Sequence, residues 1–288
     1  MRMQEYSADE LRFAYCYHCY LHWSTSCLRP YHPLADLDLA TFRDLVSEHD
    51  IHVLEFASDP TQVRVLVSLK PSESLSACAS KLKGRTSLWL RKALALEQAR
   101  NLLGKGYFAC TAGKSTRAQI DQYLSGQGQH HSYGDRILPP IFVEQFVPSA
   151  EIESQVRAKH AFTFLQFHLV LSVMGRRGVF AVDEARVVTE AWSALQVKLR
   201  FALLKVSFLP DHVHLAVRVH PGLCPSELVR ALMNSGQEVI GQRFPHVAIA
   251  AGVGRLWQPS AYIGSYGDLA SPQVQKYLCD WSRRAADG

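Results

Sequence analysis

The sequence predicts an α+β protein made of two tandem copies of one small domain, each closed by a helix that carries a tyrosine. Three observations predict it: an internal repeat at a constant offset, the same succession of strand-like and helix-like patterns in both copies, and turn signals at matching places. Tyr17-His18 in the first apolar run matches Phe167-His168, 150 residues on. Gln62-Val63-Arg64-Val65-Leu66-Val67 matches His212-Val213-His214-Leu215-Ala216-Val217 at the same offset, and Pro60 and Pro71 match Pro210 and Pro221. The period far exceeds the roughly 20–50 residues of solenoid repeats, so a whole domain is duplicated.

In the first copy a strand is expected near 12–20, then a helix through Leu39, Phe42, Leu45 and Val46 at helical spacing. Strands near 51–57 and 62–69 flank the turn signal Ser58-Asp59-Pro60. A helix near 74–93, a strand near 106–111 and a helix from about Ser115 complete the copy. The second copy repeats this with strands near 162–171, 201–208, 212–219 and 260–265, and helices near 183–198, 225–243 and 271–284. The order βαββαβ is the ferredoxin-like arrangement, here with one added C-terminal helix per copy. Domains are expected at 1–127 and 159–288, joined by a connector over 128–158 that contains Pro139-Pro140.

Hydrophobic residues at 48% and charged residues at 20% describe a globular chain, not a disordered one. A net charge of +5 suits an anionic partner such as nucleic acid without demanding one. No apolar run reaches the roughly 18 residues of a membrane helix, and the first ten residues are too polar and acidic for a signal peptide. Seven cysteines, scattered and odd in number, fit a reducing compartment, so a cytoplasmic location is expected. Cys16 and Cys19 have metal-ligand spacing, but on a strand positions three apart point to opposite faces and no second such pair exists.

The chemistry concentrates in Phe208-Leu209-Pro210-Asp211-His212-Val213-His214-Leu215. On a strand His212 and His214 share a face, at half-exposed positions about 6–7 Å apart along the backbone. Two such imidazoles form half a site for a divalent ion, although a His-x-His on a strand is by itself more often structural. Tyr123 and Gln127 stand at i and i+4 on one helical face. A phenol can attack phosphorus, and an amide oxygen beside it can complete a metal shell. Alone, the two would pass for an exposed Tyr and Gln.

The Pro-Asp-His-Val-His-Leu hairpin, the basic helix and the Tyr-x-x-x-Gln helix together resemble the single-tyrosine HUH transposases of small bacterial insertion sequences, among them the REP-associated tyrosine transposases. The likeness covers both copies. It implies a metal-dependent cut in single-stranded DNA in which tyrosine becomes linked to a 5′ phosphate. It also implies dimers whose sites combine the histidines of one subunit with the tyrosine helix of the other.

The chain departs from that pattern. The first copy has Gln62 and Arg64 where histidines are expected, and Arg offers no lone pair to a metal. The second copy keeps a tyrosine, Tyr277, but Trp281 stands where Gln is expected. The expectation is therefore a fused pseudo-dimer with one composite site: His212, His214 and Gln127 holding Mg²⁺ or Mn²⁺, and Tyr123 as nucleophile, with Tyr277 acting in cis as the alternative. Lys81, Lys83, Arg85, Arg91 and Lys92 are candidate phosphate contacts; a charge run is as readily a solvated face. The expected partner is single-stranded DNA, with hairpin-containing strands and a higher oligomer left open. A non-cutting, domesticated DNA- or RNA-binding protein is the main alternative, and a regulatory ferredoxin-like protein unrelated to DNA is a third.

Overall fold

The computed structural model describes residues 3–96, 101–113, 115–125, 140–251 and 254–267. In chain order the first half contains β1 (Arg12–Cys16), β2 (His18–Ser24), α1 (Leu39–Val46), β3 (His52–Asp59), β4 (Gln62–Ser68), α2 (Leu75–Ala93), β5 (Tyr107–Ala112) and α3 (Arg117–Ser125). The second contains β6 (Phe142–Gln145), α4 (Ala150–Val156), β7 (Ala161–Phe164), β8 (Gln166–Val173), α5 (Val182–Leu199), β9 (Phe201–Leu209), β10 (His212–Val219), α6 (Pro225–Arg243), α7 (Pro245–Ala251) and β11 (Trp257–Tyr266). The strands lie in the orders β3-β4-β2-β5 and β11-β8-β10-β9, with the first strand of each copy between its third and fourth. Both halves are thus ferredoxin-like, as expected. The helix expected near 271–284 lies outside the described residues.

Two of the expected strands are not single units. The segment expected at 12–20 divides at Tyr17: β2 stays in the first sheet, while β1 runs parallel to β11 in the second. Likewise 162–171 divides at Leu165, with β8 in the second sheet and β7 parallel to β5 in the first. Each copy therefore lends a strand to the other. The connector contributes as well, since β6 pairs with β9 at the far edge of the second sheet. Residues near the start of the chain also pack on the second half, where the Trp257 N–H donates to the Tyr6 hydroxyl at 2.9 Å.

Strand register refines the repeat. Ser24 faces Gln62 as Ser172 faces His212, so the opening strands correspond at an offset of 148, not 150. His168 thus corresponds to Tyr20, and the match of Tyr17-His18 with Phe167-His168 is a two-residue slip. A slip of two preserves strand alternation, which is why the apolar pattern conceals it. The hairpins keep 150, since Asp59 faces Gln62 as Leu209 faces His212. The closing strands correspond at 154, with Thr111 opposite Cys19 as Ser265 is opposite Phe167.

Contacts between the halves are reciprocal, as in an isologous dimer. The Ser76 N–H donates to the Pro221 carbonyl at 2.8 Å, and the Ser226 N–H donates to the Pro71 carbonyl at 3.0 Å. Thr111 Oγ1 accepts from the Gln166 N–H at 2.9 Å and donates to the Tyr266 carbonyl at 2.6 Å. Ser265 Oγ accepts from the His18 N–H at 2.9 Å and donates to the Ala112 carbonyl at 2.6 Å. The Tyr17 and Phe167 rings meet edge-on at the crossing, 5.0 Å between centroids.

Alternation then assigns the two faces of each sheet. Val63, Val65 and Val67, like Val213, Leu215 and Val217, are buried in the main core with the helices α1, α2, α5 and α6. Gln62 and Arg64, like His212 and His214, point to the opposite face.

Thr111→Val should test the clamp, because it removes one hydroxyl that serves a buried carbonyl and a half-buried N–H. The expected loss is about 1–3 kcal/mol of unfolding free energy in a denaturant titration, with Ser265→Ala similar. No change in either variant would remove the clamp from the account of the interface.

Candidate active site

The β9–β10 turn fixes the histidines. The Val179 and Phe180 N–H groups both donate to the Pro210 carbonyl, at 2.9 and 3.0 Å, and the Val173 N–H donates to the Asp211 carbonyl at 2.8 Å. Asp211 then reaches His212, with Oδ1 at 2.6 Å from Nδ1, while its Oδ2 lies 2.8 Å from Arg176 Nε. Burial pushes the Asp211 carboxyl up, but the His212 hydrogen bond and the charges of His212 and Arg176 outweigh it and hold the group below its usual range.

His214 Nδ1 lies 2.9 Å from His168 Nε2, and the His212 and His214 rings are 4.9 Å apart. Burial pulls the His168 pKa down to about 4, so it is neutral near pH 7. With Nδ1 of both hairpin histidines engaged, coordination would fall to Nε2. For His214 this requires the proton on Nδ1, donated to His168. The donor set thus suits a divalent ion but is incomplete: among the described residues no group of three or more His, Cys, Asp or Glu is arranged to hold one. Cys16 and Cys19 fall in different sheets and form no such group.

His212 and His214 are 1% and 3% exposed, not half-exposed as bare strand geometry suggests. At His214 α3 crosses from the first half to cover this face. A reciprocal cap starts it: Thr116 N–H donates to Gln119 Oε1 at 2.8 Å, and Gln119 N–H donates to Thr116 Oγ1 at 3.2 Å. Ile120 and Leu124 pack on Ala216 and Tyr266 of the second sheet. Lys205, 5% exposed on β9, donates to the Asp121 carbonyl at 2.9 Å and to Ser125 Oγ at 2.5 Å. This seating puts the Tyr123 ring 5.5 Å from His214 and 5.7 Å from His168, both edge-on. An open cleft of about 700 Å³ adjoins the group, lined by Gln119, Gln122, Tyr123, His168, His214 and Tyr262 among others. Gln127, Tyr277 and Trp281 lie outside the described residues.

The corresponding place in the first half is built differently. His22 Nε2 and Gln62 Oε1 are 2.9 Å apart, Arg64 lies 3.7 Å from Asp59, and Tyr20 stands in the position of His168. The basic residues on α2 have partners within the fold. Lys81 pairs with Glu73 at 2.9 Å, Arg85 pairs with Glu48, and Lys83 donates to the carbonyls of Gly104, Lys105 and Gly106 at 2.7, 3.2 and 2.8 Å. Burial lowers the Lys83 pKa to about 8. Arg91 and Lys92 close the last turn of α2.

A family model described as IS200-like transposase matches residues 34–127 and again 161–280. The chain belongs to the IS200-like transposase family. It contains the family's module twice, which agrees with the paired sheets. The ISDra2 transposase TnpA of Deinococcus radiodurans is 25% identical over 114 residues, 40% of this chain and 81% of that protein. A crystallised Deinococcus radiodurans protein assigned as a transposase is 22% identical and covers 43% of this chain and 95% of its own, with a TM-score of 0.37. The IS200-like family assigns transposase-type DNA processing to the chain. Among the described residues no helix is long and apolar enough to cross a membrane.

Three site neighbours went unread in the sequence: His168, Asp211 as a partner of His212, and Lys205. Lys205 was the most visible, as the one charge in the apolar run Phe201–Leu209.

Asp211→Ala should weaken Mn²⁺ binding about 10–100-fold by freeing the His212 ring, as measured by metal titration. Lys83→Ala should lower stability by about 1–3 kcal/mol through its orphaned carbonyls. It should also leave the salt dependence of oligonucleotide binding unchanged; a shallower slope would return Lys83 to the phosphate contacts.

Proposed function

We propose that this transposase-family protein is a metal-dependent single-strand DNA endonuclease and strand transferase of the HUH type, working through one composite site. The observation that supports this most directly is the approach of Tyr123, from the first half, to within 5.5 Å of the His214 ring in the second. His212 and His214 would hold Mg²⁺ or Mn²⁺ through Nε2, with Gln127 as third ligand. When bound, the ion would supply charge stabilisation at the scissile phosphate and the leaving oxygen.

The Tyr123 oxygen, freed of its proton, would attack phosphorus in line. A tyrosyl–phosphate bond forms as the bond to the 3′ oxygen breaks, and that oxygen takes up a proton to become a 3′ hydroxyl. A phenol ionises near pH 10, so the step needs help from its surroundings. Asp211 and His168 each hold one histidine by Nδ1, and α3 limits water at the buried pair. The open cleft would admit an unpaired strand, hairpin-bearing or plain, with Arg91 and Lys92 as outlying phosphate contacts. A second reading, binding of DNA or RNA without cutting, draws on the first half, where Gln62 is engaged by His22 and β4 carries Gln62 and Arg64 in place of a histidine pair.

The test is incubation with end-labelled single strands and Mn²⁺, followed by denaturing electrophoresis. A covalent protein–DNA adduct is expected from the wild type and from Tyr277→Phe, and none from Tyr123→Phe. His214→Leu, which keeps volume in a buried place, should lose the adduct while its circular dichroism stays native. Loss in Tyr277→Phe with retention in Tyr123→Phe would transfer the nucleophile to the second copy. No adduct under any condition would favour the non-cutting reading.

A further inference from the structure

We infer that Lys205 is a positioning residue that seats the tyrosine helix on the second half, and that its replacement by Glu55 in the first half removes the equivalent seat there. The catalytic consequence rests on Tyr123 being the nucleophile; the seat itself does not.

A buried ammonium must be fully engaged to be tolerated. Among the described residues no carboxylate pairs with Lys205 within 4.0 Å. Its partners are instead the Asp121 carbonyl and Ser125 Oγ, and Ser125 Oγ itself donates to the same carbonyl at 2.9 Å. The charge is therefore engaged by a main-chain carbonyl and a hydroxyl one turn apart on α3. The two contacts bracket Tyr123, two residues to either side. Most helical stability in a protein comes from tertiary packing, so the placement of α3 depends on such contacts. Ile120 and Leu124 supply burial, but apolar packing is non-directional and leaves axial position and rotation loosely set. Lys205 supplies the directional part.

The internal comparison supports a dedicated role. Glu55 faces Leu66 next to a bulge in the first sheet, as Lys205 faces Ala216 next to one in the second. Glu55 is exposed, whereas Lys205 is buried. A carboxylate cannot donate to a helix carbonyl or hydroxyl, and Leu66 is bulkier than Ala216. The first sheet has thus changed both charge and shape at this position.

The test uses the full chain with Lys205→Met, Lys205→Arg and Ser125→Ala. Hydrogen exchange of residues 117–125 reads the seat directly, without activity. Lys205→Met should speed exchange there about tenfold or more while the strands keep their protection, since loss of a contact worth roughly 1.4 kcal/mol changes the opening equilibrium tenfold. Its adduct rate at saturating oligonucleotide should fall by a similar factor or more, with Mn²⁺ affinity unchanged. Lys205→Arg, which restores a cationic donor, should recover protection and most of the rate. Should Lys205→Met not fold, Ser125→Ala, at an exposed position of the helix, should show a smaller loss of protection in the same segment. Wild-type exchange in α3 of Lys205→Met, or of Ser125→Ala where it stands in, overturns the inference, as does Lys205→Arg behaving no better than Met. An adduct surviving in Tyr123→Phe would instead overturn the functional reading and leave the exchange result to judge the seat.

Discussion

The structure depends on two interior strands, β5 and β11, coming close enough for their backbones to share side-chain hydroxyls. Thr111 and Ser265 each take an N–H and give to a carbonyl of the other half. The approach leaves no room for side chains beside them. A Cβ on Gly113 would sit 2.2 Å from the Ser265 carbonyl oxygen, and one on Gly267 would sit 2.6 Å from that of Thr111. These glycines correspond at the same 154-residue offset as the hydroxyls. Close approach lets β1 and β7 run on past the crossing and pair in the neighbouring sheet, so neither copy closes its own sheet unaided. The same proximity brings α3, which follows β5, over the other half's histidines. The composite character of the site is thus a consequence of how the sheets meet.

That geometry explains what the amino-acid sequence made legible. Alternation of Val with Gln, Arg or His in β4 and β10 placed the histidines on one face, and the tight Pro-turn hairpins kept the 150-residue offset in register. The sheet order followed from βαββαβ. What alternation could not show was a register slip of two, because such a slip conceals itself; this is why His168 was aligned with His18, not Tyr20. Strand exchange was equally hidden, since the residues of 12–24 look alike whether paired within one sheet or shared between two. The cover over His214 was invisible because it comes from a helix about ninety residues away in the chain. The basic run on α2 looked like a phosphate grip in sequence, yet Lys81, Lys83 and Arg85 meet Glu73, loop carbonyls and Glu48.

The two halves also diverge selectively. Where they touch, they remain matched in kind: Thr111 with Ser265, Gly113 with Gly267, Pro71 with Pro221, Ser76 with Ser226. On the strand face that carries His212 and His214 they differ at four positions: Gln62 against His212, Arg64 against His214, Tyr20 against His168, Glu55 against Lys205. A reciprocal interface constrains both copies together, because each hydroxyl and each glycine serves the partner's backbone. A site built across the interface imposes no such symmetry. Under the proposed function, one complete constellation would suffice once the copies are covalently joined, and the residues of the other would be released from coordination and helix seating. The substitutions in the first half follow that logic physically. Gln62 satisfies His22, which would otherwise bury an unmatched ring nitrogen, and Arg64 takes a solvent-facing place near Asp59 that needs no metal. This face of the first half is therefore ordinary polar structure, while the strands beneath it keep the geometry that the other half needs.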